Sequence, residues 1–366
     1  MVAHSRKKKM EQKNFIVRAC DAGYGHVKFT DGRYMDSQSI RTASIPSQSP
    51  LARSPTLKTT GQMMTCRDTF LVPINGRTFE VGRDVRLAIE GCHVSEVLGD
   101  DFSQTEAYAA RLFGAFNYML PGLPESIIDI LVLGLPLNTY AKHHESVEKR
   151  FCGEHVISPD RKTVTVKSCC VVPQPLGSYA AYLALTDLHQ CKKTPMALVV
   201  DPGYETVDWL VCHGMVANEV RSDAVPRGMG AVMREVANDI IKTYGFDATP
   251  ANVVRLLDRS LTSGAPFEMF GETIAFSNHM RAGNDVIEQA AQAIKNSVGS
   301  GFDIDVIILS GGGAPFYKEA VQRKFQRHKI VVLDAPALAN VRGFHLLGEK
   351  LAKSRAHSQR QKEAVA

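Results

Sequence analysis

Apolar residues along the chain follow two patterns: short β-branched runs closed by glycine, and longer stretches with apolar positions three and four apart. "FIVRACDAGYGHVKFTDGRYMD" (Phe15 to Asp36) reads as two strands joined at a glycine-bearing turn, with Asp31-Gly32 opening a further hairpin. From Ser37 to Gly61 Ser, Thr and Pro dominate and no apolar period survives, which predicts a long, partly mobile loop. Strands return in "TFLVPINGRTFEVG", where Asn75-Gly76 is a strong hairpin signal. Thr105 to Leu120 has apolar residues on a helical period and stops before Pro121-Gly122. "SIIDILVLGLP" is the near-continuous apolar run of a strand covered on both faces. "HHESVEKRF" is a polar helix, and "KTVTVKSCCVVPQPLGSYAAYLAL" is a strand that turns through Pro173 to Pro175 into a small-residue helix.

The second half opens as the first does. "MALVVDPGYETVDWLVCHGMV" is again an apolar strand, an Asp-x-Gly turn and a second strand, with Asp201 lying 180 positions after Asp21. Helices are predicted in "GMGAVMREVANDIIKTY", "TPANVVRLLDRSL" and "GNDVIEQAAQAIKNSV", followed by a buried strand in "DVIILSGGGAPFYKEAVQRKF" whose glycine triplet opens another helix. A hairpin start that recurs in this way reads as an internal duplication.

Three glycine-bearing turns therefore follow three apolar strands: "DAGYG" at Asp21, "DPGYET" at Asp201 and "SGGGAP" at Ser310. Glycine lets backbone amides approach phosphate oxygens, and an adjacent aspartate can hold a magnesium ion through water. Each turn alone is equally a tight structural connection. The three in this order point to a phosphate clamp.

The arrangement resembles the actin, Hsp70 and sugar kinase superfamily, whose two lobes each begin with such a hairpin. The first hairpin of that family carries D-x-G-x-x-x-x-K, matched here by Asp21, Gly23 and Lys28, with Tyr24 and Gly25 in the turn. The resemblance implies that Lys28 reaches the β and γ phosphates of ATP, with Asp21 and Asp201 on the Mg2+ side, acting through water. The second hairpin reads roughly D-x-G-G-G-T-x-D in the family. Here Asp201, Gly203, Thr206 and Asp208 match it, while Tyr204 and Glu205 replace two glycines.

The resemblance also assigns Gly311, Gly312 and Gly313 to an adenosine motif, with nothing in it selecting adenine over guanine. Gly230, Arg234 and Glu235 fall where the family places a ribose-contacting helix. Gln174 falls at the residue that orients the attacking water; an amide positions water but takes no proton at neutral pH, so hydrolysis would be slow unless assembly or a partner improves the geometry. Catalysis is thus expected at Gln174, Asp201 and Asp21.

Within the superfamily, "DPGYETVDWLV", "GMGAVMREVA", "SGGGAPFY" and "DAPALANVRGFHLLGE" resemble the ParM-type bacterial actins of plasmid segregation, and among them the PRTRC system D proteins. This likeness implies ATP-driven polymerisation into a homopolymer, hydrolysis to ADP that sets filament lifetime, and movement of DNA through a DNA-binding adaptor at a centromere-like site. The Pro- and Ser-rich stretch from Ser44 to Gly61 is a candidate filament surface. The expected fold is α/β and actin-like: two lobes, each a mixed sheet flanked by helices on a duplicated RNase H-like core, around a nucleotide cleft. The expected division is a disordered basic tail at 1–14, lobe I at 15–175 plus about 331–353, lobe II at 176–330, and a disordered tail at 354–366. The last helix, about Asn340 to Lys353, should pack back on lobe I. A small-molecule kinase using Asp208 as base, and a nucleotide-dependent cytoskeletal scaffold, are the alternatives.

Composition narrows this little further. A chain of 366 residues suits two lobes, and 44% apolar and 22% charged residues are ordinary for a globular protein. No uncharged apolar run reaches the length of a membrane span, and "MVAHSRKKKMEQKN" has no following apolar segment that would make it a secretory signal, so a cytoplasmic setting without membrane contact is expected. Eight cysteines show no C-x-x-C pair, so most are expected to be reduced and buried. Much of the net charge of +5 sits at the two ends, where basic tails offer a direct contact to DNA phosphates.

Overall fold

The protein is described from a computed structural model covering residues 15–37, 39–53, 66–89, 99–186 and 194–365. The N-terminal basic tail lies outside the described residues. Strand β1 (Val17–Ala22) is buried along its whole length and turns into β2 (His26–Arg33), which pairs with β3 (Ile40–Pro46). Asp31-Gly32 does not turn the chain. Instead it forms a bulge inside β2, where the register against β3 shifts between Thr30 and Arg33 and Gly32 takes φ +81°. The reversal comes later, where the Tyr34 amide donates to the Ser39 carbonyl at 2.8 Å.

The loop expected from Ser37 to Gly61 is in part this third strand, which is half-buried with only Ile45 fully covered, so no apolar alternation marks it. Beyond it Ser47 and Ser49 are buried, and their hydroxyls accept hydrogen bonds from Arg111 at 3.2 and 3.1 Å. Residues 54–61 of the stretch considered as a filament surface lie outside the described residues.

The hairpin β4 (Thr69–Ile74) and β5 (Arg77–Gly82) turns on Asn75 and Gly76, both at positive φ as a type I′ turn requires. Helix α1 (Glu106–Met119) is capped by Thr105, whose hydroxyl accepts from the Tyr108 amide at 3.1 Å. The chain continues through β6 (Ile127–Ile128), β7 (Ile130–Leu135), α2 (Leu137–Phe151), β8 (Gly153–Val156), β9 (Thr163–Val166), β10 (Cys169–Pro173) and α3 (Gln174–Leu185). The single strand expected before α3 is thus two: β9 joins a small sheet with β6 and β8, while β10 joins the main one.

The second half contains β11 (Met196–Pro202), β12 (Val207–His213), β13 (Val216–Val225), α4 (Met229–Tyr244), α5 (Pro250–Ser263), the short pair β14 (Glu268–Met269) and β15 (Glu272–Thr273), α6 (Asn284–Val298), β16 (Val306–Leu309), α7 (Ala314–Lys324) and β17 (Ile330–Val332). Helix α8 (Ala339–Val365) ends the described chain.

The two large sheets have the same plan. One runs β3-β2-β1-β7-β10 and the other β13-β12-β11-β16-β17, each with three antiparallel strands followed by two added in parallel. The duplication read in the sequence is therefore a duplication of topology. Each sheet has its own apolar core, one centred on Phe29, Phe116 and Leu133, the other on Trp209, Ile307 and Tyr317.

Helix α8 returns to the first sheet as expected, for a steric reason. A Cβ on Gly343 would come within 1.7 Å of the Gly177 carbonyl oxygen of α3, so the two helices meet backbone to backbone. Phe344 then fills the space over Gly134, and burying such a ring contributes about 2 to 3 kcal/mol. The disordered tail expected at 354–366 is instead helical as far as Val365, because no glycine or proline interrupts α8 after Lys353.

Among the described residues the cysteines are free thiols, with Cys20, Cys169 and Cys212 buried. No helix there is long and apolar enough to cross a membrane.

Candidate functional site

The two hairpins are built alike and meet where the lobes face one another. In the first, the Gly23 amide donates to the His26 carbonyl at 3.1 Å; in the second, the Gly203 amide donates to the Thr206 carbonyl at 2.8 Å. Asp21 is paired in register with Lys28, and Asp201 with Asp208.

Asp21 is buried and holds two partners. Its Oδ1 accepts from Gln174 Nε2 at 2.7 Å, and its Oδ2 from Lys28 Nζ at 3.2 Å. Gln174 is delivered by the start of α3, directly after Pro173 ends β10. Burial works against the Lys28 charge, but Asp21 and Asp201 outweigh it and hold the ammonium protonated. Three residues expected to act together therefore do stand together.

Asp201 is held by residues that no motif marked. Its Oδ2 accepts from Asn340 Nδ2 at 2.6 Å, and the Asn340 Oδ1 in turn accepts from the Ser178 hydroxyl at 2.6 Å. Burial pushes the Asp201 carboxyl up to about 6, against the Asn340 hydrogen bond and the Lys28 charge. Asp208 accepts from the Thr206 hydroxyl at 2.6 Å and from the Leu137 amide, in the first turn of α2, at 3.0 Å. Burial pushes it up to about 7, with Asp201 adding to the rise.

Two buried carboxylates, Asp21 and Asp201, thus face one lysine, and Asp208 stands near enough to both to feel their charge. Among the described residues no group of three or more His, Cys, Asp or Glu side chains is arranged to grip an ion directly. The donor set instead fits a hydrated dication: Asp201 and Asp208, whose charge burial disfavours, would be relieved by one held through its waters.

The glycines divide into two kinds. A Cβ on Gly311, which has φ +73°, would lie 2.3 Å from Asp201 Oδ1, and one on Gly313 would lie 2.8 Å from the Pro202 Cβ. These two let the glycine triplet pack against the second hairpin, so their close approach is to protein rather than to a ligand. Only Gly312 of the three faces open space, its nearest neighbour being Ala337 at 4.0 Å.

Tyr204, which departs from the expected glycine, is accommodated by other glycines. Its ring would touch a Cβ on Gly25 and one on Gly230 at 3.0 Å each, so it spans from α4 to the first hairpin. The Tyr204 and Glu205 carbonyls accept from the amides of Gly230 and Gly228 at 2.7 and 2.9 Å. Those carbonyls are already satisfied by the protein.

Tyr24 stacks on Phe102 with ring centroids 5.6 Å apart, and its hydroxyl is pushed up to about 12 by burial and by Glu205. Arg234 and Glu235 are exposed on α4, Arg234 near enough to Tyr204 to influence its hydroxyl.

One further contact joins the lobes across the cleft mouth. Arg86 Nη2 pairs with Asp258 Oδ2 of α5 at 2.6 Å, both side chains largely covered, and both act on the electrostatics of His26 and Tyr204. Sequence reasoning missed Arg86, Asp258, Ser178 and Asn340 because their partners are distant in the chain.

Duplicated sheets of this order, each presenting an Asp-x-Gly hairpin to a shared cleft, define the two-lobed actin-like class. Residues 19–177 match the family profile described as the actin like proteins N terminal domain, and residues 199–323 match the archaeal actin homologue MreB-like C-terminal domain. The chain belongs to the actin-like proteins.

Solved structures with this fold include the apo psk41 ParM protein, 20% identical with TM-score 0.63, over 94% of this chain and 99% of that one. The archaeal actin homologue Ta0583 in complex with ADP is 17% identical with TM-score 0.68, over 92% of this chain and 100% of that one. A 15-stranded ParM filament from Clostridium botulinum is 16% identical with TM-score 0.67, over 92% and 99%. A comparison with curated protein sequences gives no match.

Proposed function

We propose that this protein binds ATP with Mg2+ in the cleft, assembles into filaments of its own copies, and hydrolyses the nucleotide slowly. The observation that carries the reading is the set of Lys28, Asp21 and Gln174 on one lobe facing Asp201 on the other, with Asn340 of α8 reaching across from the first lobe to hold it. Lys28, released from Asp21 by an arriving phosphate, would take the β and γ oxygens as a point charge. Gln174, anchored through its amide nitrogen to Asp21, keeps its amide oxygen as an acceptor to align a water. Mg2+, when bound, supplies positive charge to the phosphates. Asp21 and Asp201 would hold its waters.

Gly312 offers the open backbone against which a nucleoside would lie, and Arg234, exposed on α4, is the candidate for a ribose contact. Hydrolysis to ADP would relax the cleft and change the angle between lobes, which alters filament contacts. A kinase reading needs Asp208 to face a substrate hydroxyl, but both of its oxygens already accept hydrogen bonds from the protein.

The filament reading draws on the likeness to the ParM filament structure. It extends to segregation of plasmid or mobile-element DNA in the cytoplasm, through an adaptor at a centromere-like site, as the sequence resemblance to the ParM-type segregation proteins implies. Electron microscopy with ATP, ADP and no nucleotide, alongside phosphate release, tests it. Filaments with ATP and slow release are expected; no polymer in any nucleotide state would overturn it.

A further inference from the structure

The C-terminal half of α8 carries a charge pattern that the cleft does not use. Between Glu349 and Glu363 the sequence is "KLAKSRAHSQRQK", with five Lys and Arg residues and no carboxylate. Lys350, Lys353, His357 and Arg360 are spaced i, i+3, i+7 and i+10, which puts all four positions on one stripe of the helix, about 15 Å long. Lys350, Lys353 and His357 are exposed.

The opposite side of the helix is occupied. Ala352 belongs to the apolar cluster that includes Val17 and Ile130 of the first sheet, Leu351 packs against that cluster, and Arg355 Nη2 donates to Ser168 Oγ at 3.0 Å. Glu349, the nearest acid, does not offset the stripe: its carboxylate takes Arg33 at 2.6 and 2.7 Å and is held down to about 2, Arg33 and His345 outweighing burial. Lys350 and Lys353 therefore present positive charge on this stripe, and Arg360 falls at a position that continues it along the helix.

We infer that this stripe is a contact surface for the phosphate backbone of double-stranded DNA. A line of cations with serine and glutamine neighbours is the composition that binds phosphates without reading bases. A membrane surface is the other polyanion, and it is disfavoured by the helix itself. From Ala352 to Ala364 there is no Leu, Ile, Val, Phe, Trp, Tyr or Met to enter a bilayer interface.

The contact of one subunit is weak, with Lys350, Lys353 and Arg360 as its fixed charges, and a filament would multiply it by presenting many copies in a row. That multiplication rests on the filament reading above. The single-subunit contact does not.

The test uses the full chain without nucleotide, a fluorescent 30-base-pair duplex of arbitrary sequence, and anisotropy from 50 to 200 mM salt at pH 7.5. The wild type is expected to bind with a log–log salt slope that falls by about 2.7 in K350Q/K353Q/R360Q, as loss of three phosphate contacts requires, with affinity at 50 mM salt at least tenfold weaker. R355Q/K362Q, on the other side of the helix, should bind as the wild type does. Sedimentation with ATP separates the two readings, because the triple variant should still assemble.

Equal losses in both variants, or binding abolished by removing residues 1–13 but not by the triple substitution, would overturn the assignment. So would equal binding of the wild type and triple variant to duplex, or tighter binding to phosphatidylserine vesicles than to DNA.

Discussion

Lys28 and Asp208 occupy the same place in two copies of one hairpin: Lys28 lies in register with Asp21, and Asp208 with Asp201. The repeated unit thus puts a cation in one lobe where the other has a carboxylate. A ligand rich in negative charge and accompanied by a dication satisfies both halves at once.

Replacing Lys28 with Ala is predicted to weaken ATP binding by about ten- to a hundredfold, the worth of a charge-assisted hydrogen bond to phosphate. Asp21 keeps its Gln174 partner, so the fold should persist. Titration with a fluorescent ATP analogue, with circular dichroism as control, checks this. Unchanged affinity would reduce the first hairpin to a structural turn.

Gln174→Ala should separate binding from turnover. Nucleotide affinity is expected to stay within a few-fold of wild type, while phosphate release falls by about a hundredfold or more, the range for loss of a water-positioning group. Equal release rates would remove Gln174 from the mechanism.

The pH dependence follows from Asp201 and Asp208, raised by burial to about 6 and about 7. For a carboxyl raised on folding, the native state binds more protons than the unfolded state between the two values. Stability is then greatest below the ordinary carboxylate range near 4 and falls as pH rises toward 7. The nucleotide-free protein should accordingly lose melting temperature from pH 5 to pH 7.5. Asp208→Asn should flatten that slope. Mg2+ with ATP should oppose the loss, since a cation favours the charged carboxylates. A melting temperature that rises over this interval in the free protein would contradict the placement of these groups.

The Arg86–Asp258 pair holds the cleft mouth from both lobes. Arg86→Ala and Asp258→Ala are each expected to speed nucleotide release several-fold, as loss of about 1 kcal/mol from the closed state requires. The exchanged pair, Arg86→Asp with Asp258→Arg, should recover part of the effect in stopped-flow measurements. Release rates unchanged in both single variants would mean that the pair does not restrain opening.

The parts of this fold legible in the sequence are those whose cause is local. Both Asp-x-Gly hairpins announce themselves because a glycine turn follows a buried strand, whereas the return of α8 is expected only from the actin-like resemblance. Strands β3 and β13 carry no such mark: β3 is half-buried with only Ile45 fully covered, and β13 has no fully buried residue, so neither shows an apolar run or a clean alternation. Asn340 is invisible for another reason. Its importance lies in bridging Ser178 and Asp201, which meet it only after α8 has closed on α3 through Gly343 and Gly177.

Tyr204 belongs with these. Read as a departure from a glycine-rich phosphate loop, it proves to be paid for by Gly25 and Gly230, which leave room for its ring. Two glycines of the triplet at 311–313 likewise serve contact between protein segments. The residue type was readable, and its neighbour was not.

The central claim is that a nucleotide held between Lys28 and Asp201 drives assembly, and sedimentation across nucleotide states tests it most directly. Wild-type protein with ATP and Mg2+ should pellet, the same protein with EDTA or without nucleotide should remain in the supernatant, and Lys28→Ala should require far more ATP to pellet. Pelleting that ignores nucleotide and the Lys28 substitution, or no pelleting under any condition, would contradict the account.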